Sequence, residues 1–481
     1  MPVTRGIVIA GAGFSGIGMG IALKKAGYHD FVILEKGNDL GGTWRDNTYP
    51  GCACDVPAPL YSYSFELNPS WSRLFAPQQE IWDYLRGCVA KYGLDEHIRY
   101  GCPVERMDWD DEGRRWQIAA GPGFQARAVV SAGGALHLPS LPDIPGTAQF
   151  GGTAFHSSRW DHGCDLAGRR VAVIGTGASA IQFVPEIAKQ AAQLTVFQRT
   201  PPWVHPRLEI EFPARVRGTF EAAPVTARAL RDAIYWLLEA NALGFAVHPK
   251  LMGPLERLGR RHLESQVADP ALRARLTPDY TVGCKRILLS SSYYPALQRP
   301  NVNLVTDPIA EITETGLVTA DGTAHPADVI IYATGFRVID SVAALNVTGR
   351  DGRELKQEGV EAFHGMTVRG FPNFFMLLSP NTGLGHTSVV FMIETQIQHV
   401  MSCLRLLARD RAGTIEVQPD ALRRYNSGLQ RRLRRAVWSA GGCSSWYLDQ
   451  DGINRALWPG FTFEYWTRTR RARRGAYAVS R

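Results

Sequence analysis

The sequence predicts an α/β protein with two dinucleotide-binding (Rossmann-like) domains, the second of them interrupted by a helical insertion. Three observations predict it. A strand, a glycine turn, a helix and a second strand follow one another from Gly6 to Glu35, and the same succession returns from Arg169 to Thr200. Between Leu208 and Pro278 this alternation stops, and apolar residues recur at helical spacing instead. The boundaries that follow are 1–145 for a first nucleotide-binding domain and 146–335 for a second, with its insertion at about 208–278. The segment 336–481 returns to the first domain and ends in a C-terminal loop and tail.

In the first unit, GIVIA (6–10) is a β-branched run that feeds GAGFSG (11–16) and then an amphipathic helix ending at Gly27. FVILE (31–35) is the second strand. Gly11 permits the tight turn, Gly13 lets backbone approach a pyrophosphate, and Gly16 lets helix pack on strand, with Ser15 inside the turn. The helix start adds free N–H groups and the positive end of its dipole. Glu35 closes the second strand, where a carboxylate accepts hydrogen bonds from both hydroxyls of an adenosine ribose.

The stretch GGTWRDNTYPGCACD (41–55) follows. Gly41 and Gly42 allow backbone to lie near a flat ring, Thr43 leads into Trp44 as an apolar wall, and Asp55 is a carboxylate in a loop rich in Pro and Cys. Cys52 and Cys54 form the only close pair among eight cysteines, and their spacing fits neither a redox Cys-x-x-Cys nor a zinc site, so no metal is expected. Reduced thiols and a cytoplasmic setting are the expectation. Residues 81–94 have helical periodicity, 116–134 read as a hairpin and a buried strand, and the Pro-rich 137–146 as a linker.

The second unit carries Gly175-Thr176-Gly177-Ala178-Ser179-Ala180, the GxGxxA form of the turn, between the strand VAVI and a helix. Here the slot that held Glu35 holds Arg199, with the hydroxyl of Thr200 beside it. An acid in that slot suits a free ribose 2′-hydroxyl, and an arginine suits a 2′-phosphate through bidentate, charge-assisted bonds. The first site is therefore expected to take FAD and the second NADPH rather than NADH. Further on, Lys285 and Arg286 are adjacent cations beside an apolar run, ADVIIYATGF (327–336) is a strand, and SPNTGLGHTSVVFMIETQIQHV (379–400) is a glycine loop feeding a helix.

Composition narrows the alternatives. The net charge of +8 lies mostly in Arg423–Arg435 and Arg468–Arg474, read as a solvated helix face and a frayed tail, with no nucleic-acid motif beside them. No run of about 18 apolar residues appears, so no spanning helix is expected, and the N-terminus lacks a secretory pattern. Oligomeric state is not legible.

Four spaced motifs, in order, resemble the type I Baeyer-Villiger monooxygenases, flavoproteins that insert one oxygen atom of dioxygen next to a ketone carbonyl. Phe150-x-Gly152-xxx-His156-xxx-Trp160-Asp161 has the spacing of that family's fingerprint, and Gly41-Gly42-x-Trp44-xxxx-Tyr49-Pro50-Gly51-xxx-Asp55 matches a second signature at every specified position. The two glycine turns complete the set. The resemblance implies that Trp44, Tyr61 and Val104 lie near FAD, that Asp55 pairs beside the flavin with Arg286, that Lys285 lies near the 2′-phosphate, and that Trp446 closes over NADP. It also implies the reaction: NADPH reduces FAD, dioxygen gives a flavin peroxide, and that peroxide attacks a ketone to yield an ester or lactone while Arg286 steadies the oxyanion. The alternatives are a nitrogen or sulfur oxygenase, in which Phe or Tyr usually replaces Trp160, and a non-catalytic flavoprotein redox module. A disulfide reductase would need a cysteine pair this chain lacks.

Overall fold

The computed structural model describes residues 2–338, 340, 345–358, 361–443 and 445–480. Its first sheet is built on Val3–Ala10, which pairs in parallel with Phe31–Leu34 on one side and Phe124–Ser131 on the other. Successive residues of this strand serve opposite faces: Ile7 and Ile9 enter one apolar core and Val8 another. Covered on both faces, it reads as a continuous apolar run. Arg115–Ala119 pairs antiparallel with Phe124–Ser131 and Arg106–Asp110 antiparallel with Arg115–Ala119, while Val347–Thr348 and Phe374–Met376 join from far along the chain.

The second sheet is parallel throughout, in the order Val302–Val305, Gln193–Phe197, Arg170–Ile174, Val329–Tyr332, Thr153–His156. Between its strands at 302–305 and 329–332 lies a three-stranded antiparallel meander, 309–326, that periodicity did not reveal.

The two glycine turns are built alike. Gly11 has φ +112° and Gly175 φ +108°, and a Cβ on them would stand 2.6 Å from the carbonyl oxygen of Ala132 and 2.5 Å from that of Ala333. In both cases the obstacle is the end of the returning strand, so no side chain is tolerated. Gly13 and Gly177 differ. A Cβ there would meet nothing nearer than Gly42 Cα at 3.9 Å and the Ala333 carbonyl oxygen at 4.0 Å respectively, which leaves open backbone for a ligand.

The chain passes between the sheets in two places, and these crossings touch. Ser140 N–H donates to the Gly335 carbonyl at 2.9 Å, Arg337 N–H to that of Leu138 at 2.9 Å, and Pro139 bridges Phe336 antiparallel. The insertion consists of helices Ala214–Ala222, Pro224–Glu239, Gly253–Gln266 and Pro270–Leu276, with a π turn at Leu243–Val247. It is pinned to the first unit by Arg231, a buried guanidinium that donates to the carbonyls of Pro59, Leu60 and Ser62 at 2.8, 3.2 and 3.0 Å, with Glu394 at 3.8 Å. Removing such a group strands several buried acceptors, which costs about 3 kcal/mol or more.

Two expectations are corrected. The C-terminus is not frayed: Tyr477–Ser480 pairs antiparallel with Thr414–Val417, and Arg474 reaches Asp410 at 3.0 Å. Nor are all cysteines reduced, because Cys284 and Cys443 form a disulfide while the other six are free. Both corrections involve pairings that need distant segments, which local pattern does not register. Among the described residues no His, Cys, Asp and Glu cluster is arranged to hold a metal ion, and no helix is long and apolar enough to cross a membrane.

The two glycine environments separate stability from binding. Gly175→Ala is expected to lower unfolding free energy by roughly 1–3 kcal/mol in urea titrations. Gly177→Ala is expected to leave stability unchanged and to weaken dinucleotide binding, measured by fluorescence quenching.

Candidate active site

The loop 41–55 is shaped by its own sequence. Gly42 (φ +53°) turns the chain into the one-turn helix Thr43–Asp46, which presents Trp44. Trp44 Nε1 donates to Tyr61 Oη at 3.1 Å, and the rings meet edge to face at 5.5 Å. Cys54 N–H donates to Ala76 O at 3.0 Å and Gln78 N–H to Cys52 O at 2.9 Å, so the loop reaches Asp55 with its backbone already anchored. Arg286 arrives from the other unit, two residues before the strand Leu288–Leu289, which pairs with Val204–His205.

Arg286 Nε and Nη2 donate to Asp55 Oδ2 and Oδ1 at 2.6 and 2.7 Å, a bidentate bond between residues 231 apart in sequence. The pair is half-buried, with 34% of the arginine and 25% of the aspartate side chain accessible. Burial pushes the Asp55 carboxyl up, but the Arg286 charge and its hydrogen bonds outweigh that and hold it below the ordinary value, with Arg207 adding to the effect. The Asp55 charge in turn raises Arg286 against its own desolvation. Both groups are therefore ionised at neutral pH.

Two neighbours were not foreseen. Tyr447 is buried beside the pair, its phenol pushed up to about 12 by burial, opposed by the Arg286 charge and reinforced by Asp55. Arg207 hydrogen-bonds the Phe75 carbonyl at 3.3 Å and lines a cleft of about 400 Å³ with Tyr49, Cys52, Gln78, Gln182 and Ser290, between the two units. Neither residue carries a motif, and proximity to Asp55 is the only signal that marks them.

At the first turn, Glu35 is buried and accepts from Ala12 N–H and Gly37 N–H, each at 2.8 Å, and from Arg45 at 2.7 Å. The carboxylate thus braces the turn as well as closing the strand, and Arg45 is a partner that sequence reading missed. Ser15 is buried in the first helix, and Val104 packs at the margin of the second core, away from the ion pair.

At the second turn, Thr176 is buried and bonds the Thr200 carbonyl at 3.5 Å, and the helix Ala180–Ile187 begins after Ala178 and Ser179. Arg199 is exposed, and the Lys285 ammonium is lowered by burial and then by the Arg199 charge. The two cations therefore converge, and among the described residues neither forms an ion pair. Trp446 is 47% exposed and packs on Tyr447 with ring centres 4.3 Å apart.

The fingerprint residues are not at the ion pair. A Cβ at Gly152 would meet the Asp328 carbonyl oxygen at 2.3 Å and the Phe150 ring at 2.7 Å, so these two positions fix the chain's entry into the second sheet. His156 ends the edge strand with Phe336 at 5.7 Å, beside the crossing, and burial lowers its pKa so that it stays neutral. Trp160 touches Phe155 and Phe183, each at 5.3 Å, and Phe183 touches Tyr49 at 5.9 Å. An aromatic chain therefore links the crossing to the loop that carries Asp55.

A family model described as pyridine nucleotide-disulphide oxidoreductase matches residues 8–223, the nucleotide-binding scaffold. A Baeyer-Villiger monooxygenase of Streptomyces coelicolor is 47% identical over 480 residues, covering 99% of this chain and 92% of that protein. The chain belongs to the Baeyer-Villiger monooxygenases. Another Baeyer-Villiger monooxygenase, from Pseudomonas aeruginosa, is also 47% identical, over 98% of this chain and 91% of its own length. Among solved structures of this flavoenzyme group, cyclohexanone monooxygenase from Rhodococcus sp. Phi1 bound to NADP+ superposes with TM-score 0.89 at 25% identity over 100% of both chains. An oxidised steroid monooxygenase bound to NADP does so with TM-score 0.88 at 30% identity over 99% of both. OTEMO in complex with FAD and NADP gives TM-score 0.88 at 26% identity over 100% of both.

The depressed Asp55 has a pH signature in this Baeyer-Villiger monooxygenase. A carboxyl lowered by folding stabilises fully above its ordinary value of 3.8 and loses that contribution only as pH falls through the lower, folded value. The stability difference between the wild-type chain and Asp55→Asn is expected to be flat from about pH 5 to pH 8 in urea titrations and to shrink only under more acid conditions. A difference already shrinking between about pH 5 and pH 7 would place Asp55 outside the pair.

Proposed function

We propose that this chain is an FAD-dependent, NADPH-consuming monooxygenase that inserts one oxygen atom of dioxygen next to a ketone carbonyl, giving an ester or lactone. The single observation that carries the reading is the bidentate Asp55–Arg286 pair, in a chain nearly half identical to Baeyer-Villiger monooxygenases along its whole length.

The residues present fit both cofactors. Gly13 and Gly177 leave open backbone at the starts of two helices, where phosphates are favoured. Glu35 lies at the ribose slot of the first turn. Arg199 and Lys285 converge, with Asp279 in the neighbourhood of Lys285 but no ion pair to either cation among the described residues, and two such donors suit a 2′-phosphate. We accordingly assign Gly11, Gly13, Ser15, Gly16, Glu35, Thr43, Trp44, Tyr61 and Val104 to FAD. Gly175 to Ala180, Arg199, Thr200, Lys285 and Trp446 are assigned to NADPH. The same reading divides the chain at about 145 and 335, supported by a first sheet whose strands come from both ends of the sequence, and places the enzyme in the cytoplasm.

When bound, FAD reduced by NADPH would supply the activation of dioxygen, one atom of which is inserted. The chain's own part is electrostatic. Attack on a carbonyl carbon moves negative charge onto the ketone oxygen, and the Arg286 guanidinium offers permanent positive charge there without giving up a proton. Asp55 fixes the plane of that guanidinium through two bonds. Partial exclusion of water makes the charge act more strongly than in bulk solvent.

Arg286→Ala is expected to keep FAD binding and NADPH oxidation while ester formation falls by about 100-fold or more, read by product mass. Retained ester formation would remove Arg286 from the mechanism. Arg199→Ala is expected to raise KM for NADPH by about tenfold or more and to leave KM for NADH nearly unchanged. Equal weakening of both would contradict the 2′-phosphate assignment.

A further inference from the structure

The Cys284–Cys443 disulfide joins segments 159 residues apart. One immediately precedes Lys285 and Arg286, and the other shortly precedes Trp446 and Tyr447. These segments are packed as well as bonded: Thr281 N–H donates to the Gly441 carbonyl at 3.0 Å, and a Cβ at Gly441 would stand 2.7 Å from Cβ of Cys284. The far end of the C-terminal loop has its own anchors. Asp449 accepts from Ile453 N–H at 2.8 Å and from Arg455 at 3.0 Å, and Asn381 donates to the Asn454 carbonyl at 2.9 Å. Between the two anchors Tyr447 is buried in the same apolar cluster as Cys284, and Trp446, packed on it at 4.3 Å between ring centres, stays half exposed. The near end therefore owes its covalent fixation to the sulfur bridge, and pre-ordering a loop lowers the entropy lost when it closes on a ligand.

We propose that Cys284 and Cys443 are positioning residues whose disulfide seats Tyr447 against the Asp55–Arg286 pair, so that the thiol–disulfide state of the chain tunes how much of the NADPH consumed ends in oxygenated product. The inference rests on the function proposed above. Its chemistry is thiol–disulfide exchange with a small dithiol. Cys284 is fully buried and Cys443 only partly, so the incoming thiolate attacks Sγ of Cys443, and Cys284 leaves as a thiolate that then takes up a proton. The second thiol of the reductant then releases Cys443. The chain gains two electrons and two protons as thiols, and the reductant leaves as a disulfide. A disulfide oxidant reverses both steps.

The test uses the FAD-loaded enzyme, reduced with dithiothreitol and reoxidised with oxidised glutathione, with thiols counted after denaturation. Reduction should expose two further thiols, raise KM for NADPH roughly three- to tenfold and lower the ratio of ester formed to NADPH oxidised, and reoxidation should restore all three. The double variant Cys284→Ser, Cys443→Ser should behave as the reduced enzyme and ignore both treatments. Should it not fold, Cys443→Ser alone and the reversible treatment of the wild-type chain carry the test. No disulfide in the oxidised protein, an unchanged KM and product ratio on reduction, or a double variant that still responds would each overturn the proposal. Absence of ester in every redox state would instead refute the function proposed above, and the tether would then be judged on KM for NADPH alone.

Discussion

A carboxylate and a guanidinium meet where the two nucleotide units and the insertion come together, and the rest of the molecule is arranged so that they can. Asp55 belongs to the first unit and Arg286 to the second, and neither could remain partly desolvated without the other. Arg207 adds a second cation to the neighbourhood of one aspartate. The local balance is therefore positive, which suits a site where negative charge must appear during reaction. An isolated surface ion pair would contribute little, but here two short parallel bonds and partial exclusion of water fix both distance and plane.

The insertion owes its position to the same logic on a larger scale. Arg231 spends a buried charge on three backbone carbonyls around Tyr61, whose phenol in turn meets Trp44. Lateral displacement of the helix Pro224–Glu239 would thus be felt in the loop that supports Asp55. The aromatic chain from Trp160 through Phe183 to Tyr49 makes a comparable connection from the crossing segments, without any charge. Phe150, Gly152 and Trp160 of the fingerprint therefore take part in packing at the entry to the second sheet.

What was legible in the sequence was what local geometry dictates. Gly11 and Gly175 are forced by backbone shape, and the helices of the insertion follow from apolar spacing. Counting residues puts Glu35 and Arg199 in one slot, but the strand registers align Leu34 with Phe197, so the counterpart of Glu35 is the buried Gln198 and Arg199 stands one position further on. What was illegible depends on partners far along the chain. Tyr447, Arg207 and Arg231 look like ordinary residues of a loop, a strand end and a helix face until their neighbours are in place. The bridge between Cys284 and Cys443 spans 159 residues, too far for spacing rules to notice. The C-terminal strand was mistaken for a loose tail because its arginines suggested solvent, whereas the apolar Tyr477 and Val479 that follow are what dock it.

The adjacency of the two crossings has a mechanical corollary. Because the segments around Pro139 and Phe336 are stitched into one short ribbon, the sheets are joined along a single line instead of at two separated points. Hydrogen bonds across the ribbon couple the two crossings, so neither segment shifts without carrying the other. Away from that ribbon the guanidinium of Arg231 and the sulfur bridge hold the units together at separate points.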